Sequence, residues 1–256
     1  MYICSSNKIF IATDKLNIVN FRDYFVEGTS ITSKEIFSYY RQFTPELKQT
    51  TLNWRVYALV QSGIIHRVGR GKFVIGKGSI YKPELSSKIK TIHSKLKKRF
   101  PFLLYCVWNT SDLNEFMIHQ PGKFFTLIEC EKDATESVFY YLKDLKYQVF
   151  LEPPMDIINM YVIESVEPVI VKSLVTESPC QTINNITTVT LEKILVDIFF
   201  DDQIFAAQQG SEMNHIFSTA FEKYIINENR LLRYADRRGK KEIMMRYLQT
   251  ISKNRQ

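Results

Sequence analysis

TSITSKEIFSYYRQFTPELKQTTLNWRVYALVQSGIIHRVGRGKFVIG, residues Thr29 to Gly76, reads as two short helices followed by a tight basic hairpin. Ser33, just after Ile31-Thr32, is placed to accept a hydrogen bond from a following backbone N–H and open the first helix. Ile36, Tyr39, Tyr40 and Phe43 then recur at helical spacing and give that helix one apolar face. Pro45 stops it, because the residue before a proline is pushed out of the helical region, and Glu46-Leu47-Lys48 supplies a turn. A second helix is expected to begin near Gln49 to Thr51, with Leu52, Val56, Leu59 and Val60 as its buried stripe and Gly63 closing its C-terminus.

Ile64 to Val68 and Lys72 to Ile75 are β-prone runs joined by Gly69-Arg70-Gly71, whose glycines permit the positive φ values of a tight hairpin. Helix, turn, helix and cationic hairpin in that order predict a winged helix-turn-helix, a layout that sets one helix in a DNA major groove with a wing beside it. Gln49, Thr50, Thr51, Asn53, Trp54 and Arg55, at the start of the second helix and off its apolar stripe, are the candidate contacts to base edges and phosphates. Arg67, Arg70 and Lys72 sit on or beside the hairpin tip, where they would neutralise phosphates. An ordinary solvated hairpin is the plain alternative, and position after a polar-faced helix in a cationic region tips the balance.

Around this stretch, the 256 residues suffice for two domains or one large one, and 45% hydrophobic content is that of a globular protein with a substantial core. No apolar run approaches the roughly 20 residues needed to span a bilayer. MYICSSNKIFIATDK lacks the long apolar segment of a signal peptide, so a cytoplasmic location is expected. Cys4, Cys106, Cys130 and Cys180 are too scattered for a disulfide framework or zinc ribbon and read as separate small fillers.

The net charge of +7 conceals an asymmetry. Residues 1–99 hold 18 Lys/Arg against 6 Asp/Glu, residues 100–229 hold 7 against 19, and residues 230–256 hold 9 against 2. A basic front suits DNA, while the acidic middle implies something other than nucleic acid. Gly76-Lys77-Gly78-Ser79 has turn chemistry and marks the expected boundary, giving a DNA-binding domain over 1–78 and a second domain over 79–256.

Pro83 opens an expected helix through Arg99, with Leu85, Ile89, Ile92 and Leu96 on one face and Lys88, Lys90, Lys95, Lys97 and Lys98 largely off it. Strands are then expected over Phe102–Trp108, Phe124–Cys130, Gln148–Leu151, Met160–Ile163 and Val169–Leu174, with a helix over Ala134–Leu145. Thr190 precedes LEKILVDI, a capped helix with Glu192 in its first turn, and only helices are expected beyond it. The predicted fold class is therefore α+β: a winged helix-turn-helix, then a mixed α/β domain with a helical C-terminal bundle.

RVGRGKFVIG at the wing, the later VIVKSLV strand, TLEKILVDIF and the helical NRLLRYADRRGKK together resemble the AbiEi-type antitoxins of bacterial abortive-infection, or type IV, toxin–antitoxin systems. The resemblance spans most of the chain, and the block YCVWNTSDLNEFMIHQPGKFFTLIECEKDATESVF departs from the simpler members. It implies an autorepressor that binds inverted repeats in its own promoter, as two copies on double-stranded DNA, and counteracts a nucleotidyltransferase toxin encoded beside it. The DNA-binding role falls on Gln49, Thr50, Asn53, Arg55, Arg67, Arg70 and Lys72. Toxin contact is carried to the C-terminal region, where Arg230, Arg233, Arg237 and Arg238 are the candidates, with a solvated helix face as the alternative. No cofactor, metal or membrane partner is called for, and no heptad repeat would make a stable dimer in solution.

An enzyme reading stands beside this one. Glu129 and Glu131 followed by Lys132, with Asp112 upstream, faintly resemble the acids and lysine of metal-dependent nucleases. The spacing is poor, since Glu129 and Glu131 share a strand face that Lys132 does not. His66, His93, His119 and His215 are scattered without metal-ligand spacing, and no Gly-rich phosphate loop follows a strand.

Overall fold

A computed structural model describes residues 16–26, 28–61, 64–76 and 80–253. The chain divides into two compact units, one holding the chain up to Ile80 with Lys223–Asn229, the other Tyr81–Glu222 and the chain from Arg230. The fold is α+β with a helical C-terminal region.

In the first unit α1 (Ile18–Tyr24) precedes β1 (Ser30–Thr32), α2 (Ser33–Phe43), α3 (Gln49–Gln61), β2 (Ile65–Gly69) and β3 (Lys72–Ile75). β3 lies between β1 and β2 in an antiparallel sheet, with Ile31 opposite Phe73 and Ile65 opposite Ile75. Helix, strand, two helices and a hairpin closing on that strand make a winged helix-turn-helix. Phe21, Ile36, Tyr39, Tyr40, Leu52, Val56, Leu59 and Phe73 form its core, with the Phe21 and Tyr39 rings edge-on at 5.2 Å. Full burial of one such side chain is worth about 1.5–3 kcal/mol.

Four sequence expectations change in this unit or fall outside it. The cap of α2 is Thr32: its Oγ1 accepts from the Glu35 N–H at 3.3 Å while a Glu35 carboxylate oxygen accepts from the Thr32 N–H at 2.6 Å. Ser33 instead donates its N–H to the Gly71 carbonyl at 2.8 Å, tying the wing turn to the start of α2. Phe43 is exposed, so the apolar face of α2 ends at Tyr40. The hairpin tip is the pair 70–71, with Gly71 at φ +68° and Gly69 still in β2 beyond a bulge. Gly63, Lys77, Gly78, Ser79 and Cys4 lie outside the described residues.

The second unit carries α4 (Ser87–Arg99), β4 (Tyr105–Asn109), β5 (Thr126–Cys130), α5 (Thr135–Asp144), β6 (Val149–Leu151) and β7 (Val169–Ser173). β8 (Cys180–Ile183), β9 (Ile186–Val189) and α6 (Leu191–Phe200) follow, then α7 (Ser211–Lys223), α8 (Glu228–Arg237) and α9 (Lys241–Lys253). α7 belongs to this unit up to Glu222 and α8 from Arg230. The sheet order is β4-β5-β7-β6, with β4 antiparallel to β5 and the other pairs parallel.

α4 starts at Ser87 rather than at Pro83, because the Ser86 hydroxyl caps it by accepting from the Ile89 N–H at 3.3 Å. Phe102 lies before β4 and is 94% exposed, so the first expected strand is shorter. Met160–Ile163 is not a strand. Met155–Ile157 turns into a π-helical turn, Ile158–Val162, that buries Ile158 and Val162 four residues apart and leaves Met160 and Tyr161 in solvent. The β8–β9 hairpin is an addition to the expected elements; Asn184 and Asn185 at φ 50° and 64° form its two-residue turn. Thr190 stands at the N-cap of α6 and its carbonyl accepts from the Ile194 N–H at 3.2 Å, but its side chain does not cap the helix, the hydroxyl donating instead to the Pro179 carbonyl at 2.9 Å.

Candidate functional site

On α3 the apolar stripe of Leu52, Val56 and Leu59 is buried, which turns Gln49, Thr50, Thr51, Asn53 and Trp54 to solvent. The Gln49 amide donates to the Asn53 Oδ1 at 3.1 Å, so these side chains support each other. Arg55 does not join them: it is half-buried, with its guanidinium 4.5 Å from the Tyr40 ring centroid. On the wing Arg67, Arg70 and Lys72 are exposed, Arg67 with its guanidinium 5.2 Å from the Phe73 ring.

Two features of this surface escape a reading by periodicity and charge block. Tyr57 is 63% exposed, one turn beyond Trp54 on the same face of α3. Between Glu46 and Glu84 the sequence contains no Asp or Glu, against Lys48, Arg55, Arg67, Arg70, Lys72, Lys77 and Lys82. Composition in a narrower window carries that second signal. The segment thus carries seven cations and no acid.

The second unit is organised around a buried ionic cluster. α6 is apolar all round except for charges that are themselves buried, including Lys193 and Asp197 one turn apart. The Lys193 ammonium, fully excluded from solvent, donates to Glu129 Oε2 at 2.8 Å on β5 and to Asp197 Oδ2 at 2.5 Å. Glu129 Oε1 accepts from the Trp108 indole at 3.0 Å, and Asp197 Oδ1 accepts from the Tyr234 hydroxyl and from Arg238, each at 2.8 Å. Asp201 extends the cluster by accepting from Arg238 and from Lys172, the latter at 2.6 Å. Burial pulls the Lys193 pKa down, but the carboxylates of Asp197 and Glu129 outweigh it and hold the ammonium well above its ordinary value. Every carboxylate is met by donors, the condition under which buried charges are tolerated.

This cluster decides the positions of several candidate residues. Glu129 has both oxygens engaged by Trp108 and Lys193, whereas Glu131 and Lys132 are exposed past the end of β5. Asp112 lies in the turn Thr110–Phe116 after β4, at the opposite end of the sheet. The acids of the nuclease reading are therefore not brought together. Asp112 instead lines a cleft of about 930 Å³ with Ser86, Ser87, Asn109, Asn114 and Lys123, and burial pushes its carboxyl up to about 7 against lowering backbone hydrogen bonds.

The four candidate arginines also face acids of the same unit. Arg238 is 15% exposed and bonds Asp197 and Asp201; Arg237 bonds Glu177; Arg233 lies 3.7 Å from Glu177 and Arg230 3.9 Å from Glu192. The acidic middle and basic tail of the sequence thus meet in one fold. The lysine helix α4 is likewise in the second unit, where Lys88 pairs with Glu167 at 3.4 Å and Lys95 donates to the Tyr147 hydroxyl at 3.1 Å. Cys106 and Cys180, 74 residues apart, interact electrostatically, and burial pushes the Cys106 thiol up.

Among the described residues no helix is long and apolar enough to cross a membrane. No group of three or more His, Cys, Asp or Glu there could hold a metal ion. No curated protein matches the sequence. Residues 51–254, from the start of α3 through α9, match DUF6577, a family of unknown function, and the chain belongs to that family.

Proposed function

We propose that this protein is a cytoplasmic DNA-binding transcriptional regulator that represses its own promoter and neutralises a nucleotidyltransferase toxin encoded beside it. The observation that carries the DNA half is the exposed, acid-free face of α3 joined to a cationic wing: Gln49, Thr50, Thr51, Asn53 and Trp54 in solvent, with Arg67, Arg70 and Lys72 on the hairpin. Hydrogen-bonding side chains at a helix start read base edges, and wing cations release counterions from phosphates. Inverted repeats require two copies on the DNA, each placing one α3. Arg55 supports α3 from behind by stacking on Tyr40.

The antitoxin half rests on the resemblance of the wing, the VIVKSLV strand, TLEKILVDIF and NRLLRYADRRGKK to AbiEi-type antitoxins. Arg230, Arg233 and Arg237, with side chains 44–66% exposed, are the arginines of α8 that a partner can reach.

The test is binding of the full chain to duplex from upstream of its own gene, measured by fluorescence anisotropy across a salt series. Arg70→Ala with Lys72→Ala weakens binding to all sequences and lowers the salt slope by about 1.8, at about 0.9 for each phosphate left without its cation. Asn53→Ala relaxes discrimination at one base position, by about 1–3 kcal/mol. Unchanged slopes in the wing variant, or equal affinity for random duplex, overturn the mapping. Growth rescue on co-expression with the neighbouring toxin tests the other half.

A further inference from the structure

Thr50, Asn53, Trp54 and Tyr57 occur at i, i+3, i+4 and i+7 and form one outward stripe along α3. All are exposed, Trp54 by 49% and Tyr57 by 63%, although large aromatic side chains in a small unit ordinarily go to its core, as Phe21, Tyr39, Tyr40 and Phe73 do here. The stripe carries no charge. The cations of the surrounding sequence lie off it: Lys48 precedes α3, Arg55 stacks on Tyr40, and Arg67, Arg70 and Lys72 belong to the hairpin.

This division of labour has a chemical meaning in a major groove. Guanine is read there chiefly by Arg or Lys donating to O6 and N7, and the stripe has neither. Adenine is read by an Asn or Gln amide, and thymine alone offers an apolar group, its 5-methyl, to an apolar side chain. Asn53 supplies the amide; Trp54 and Tyr57 supply the apolar surface. The acid-free segment between Glu46 and Glu84 argues that the occupant is a polyanion.

We propose that the α3 stripe reads A·T base pairs, with Trp54 and Tyr57 as specificity-determining residues that pack on thymine 5-methyl groups. The proposal rests on the DNA-binding reading above and names the base pairs that reading leaves open. Its consequence is A·T-rich half-sites whose affinity depends on a methyl group that takes no part in base pairing.

The experiment selects preferred duplexes from a random library with the full chain, then replaces thymine by uracil in the selected sites. That replacement removes the 5-methyl and leaves every hydrogen-bonding group in place. The expected result is selection of A·T-rich half-sites and a loss of about fourfold in affinity for each methyl that is packed upon, the worth of one buried carbon. Trp54→Ser and Tyr57→Ser each abolish the thymine-over-uracil difference at their own positions. Both side chains are exposed, so folding, checked by thermal unfolding, is retained. Selection of G·C-rich sites, or equal wild-type affinity for thymine and uracil duplexes, overturns this inference while leaving DNA binding intact. Absence of sequence-preferred duplex binding overturns the DNA-binding reading itself, and this inference with it.

Discussion

Replacing Lys193 by Met is the perturbation that most directly tests the packing of the second unit. Methionine keeps an unbranched apolar stem as far as the lysine Cε, with sulfur in place of the Cδ methylene, and lacks the ammonium. Two carboxylates lose a donor, and each has a side chain only 2% exposed. They are not equally harmed. Asp197 keeps Tyr234 and Arg238 on its other oxygen, whereas Glu129 keeps only the Trp108 indole. Breaking a buried pair from one side costs about 3–5 kcal/mol because the remaining charge is uncompensated. With a urea m-value of about 2 kcal/mol/M, the unfolding midpoint falls by about 2 M. Tryptophan fluorescence reads it mainly at Trp108, which is fully buried and stacked on Phe205 at 5.8 Å, while the other tryptophan, Trp54, is already 49% exposed in the folded protein and changes environment less. Adding Glu129→Gln removes the uncompensated charge and keeps an acceptor for Trp108. The double variant is therefore less destabilised than the two single losses added together, by about 2 kcal/mol. A Lys193→Met protein within about 1 kcal/mol of wild type, or strictly additive losses, would refute the cluster as the tie between α6 and β5.

Two further outcomes follow from the same geometry. Because burial pushes the Asp112 carboxyl up to about 7 from an ordinary 3.8, folding favours its neutral form, and the second unit loses stability as pH rises through that range. Asp112→Asn removes this part of the pH dependence, so melting temperatures measured at about pH 5 and about pH 8 draw closer together; an unchanged gap contradicts it. Arg238→Ala, which strips donors from both Asp197 and Asp201, costs about 2–3 kcal/mol in urea unfolding, whereas Arg233→Ala, on a side chain 66% exposed, changes stability by less than about 0.5 kcal/mol. Equal costs for the two arginines would show that Arg238 is not held in the cluster.

How far the sequence can be read depends on whether the forces are local. The α3 stripe of Leu52, Val56 and Leu59 and the Gly71 turn are written in short-range periodicity and φ preference, and both are legible. β1 is three residues long and exists only because Ile31 pairs with Phe73, so nothing within Ser30–Thr32 announces it. The apolar run Met160–Ile163 suggests a strand, yet helix begins just after Pro154 and the burial of Ile158 and Val162 sustains a helical turn. Asn184-Asn185 between two β-prone runs is a readable hairpin cue, because asparagine tolerates the positive φ that both positions adopt.

The site divides in the same way. Exposure of Gln49, Thr50, Asn53 and Trp54 follows from which face of α3 is apolar, but the stacking of Arg55 on Tyr40 needs α2 in place. The ionic cluster joins Glu129, Lys193, Asp197 and Arg238 across more than 100 residues, and sequence spacing says nothing about such a meeting. The i, i+4 pair of opposite charges inside a helix whose only other charge is Glu192 is its one local trace.

The central claim is that α3 and the wing bind duplex DNA, and the most direct measurement is the affinity of the full chain for duplex from upstream of its own gene against a scrambled duplex of equal composition, across about 50–200 mM salt. The full chain should prefer the upstream duplex, with log affinity falling linearly against log salt and a slope of about 0.9 for each phosphate neutralised. Equal affinity for both duplexes, or no salt dependence, would contradict it.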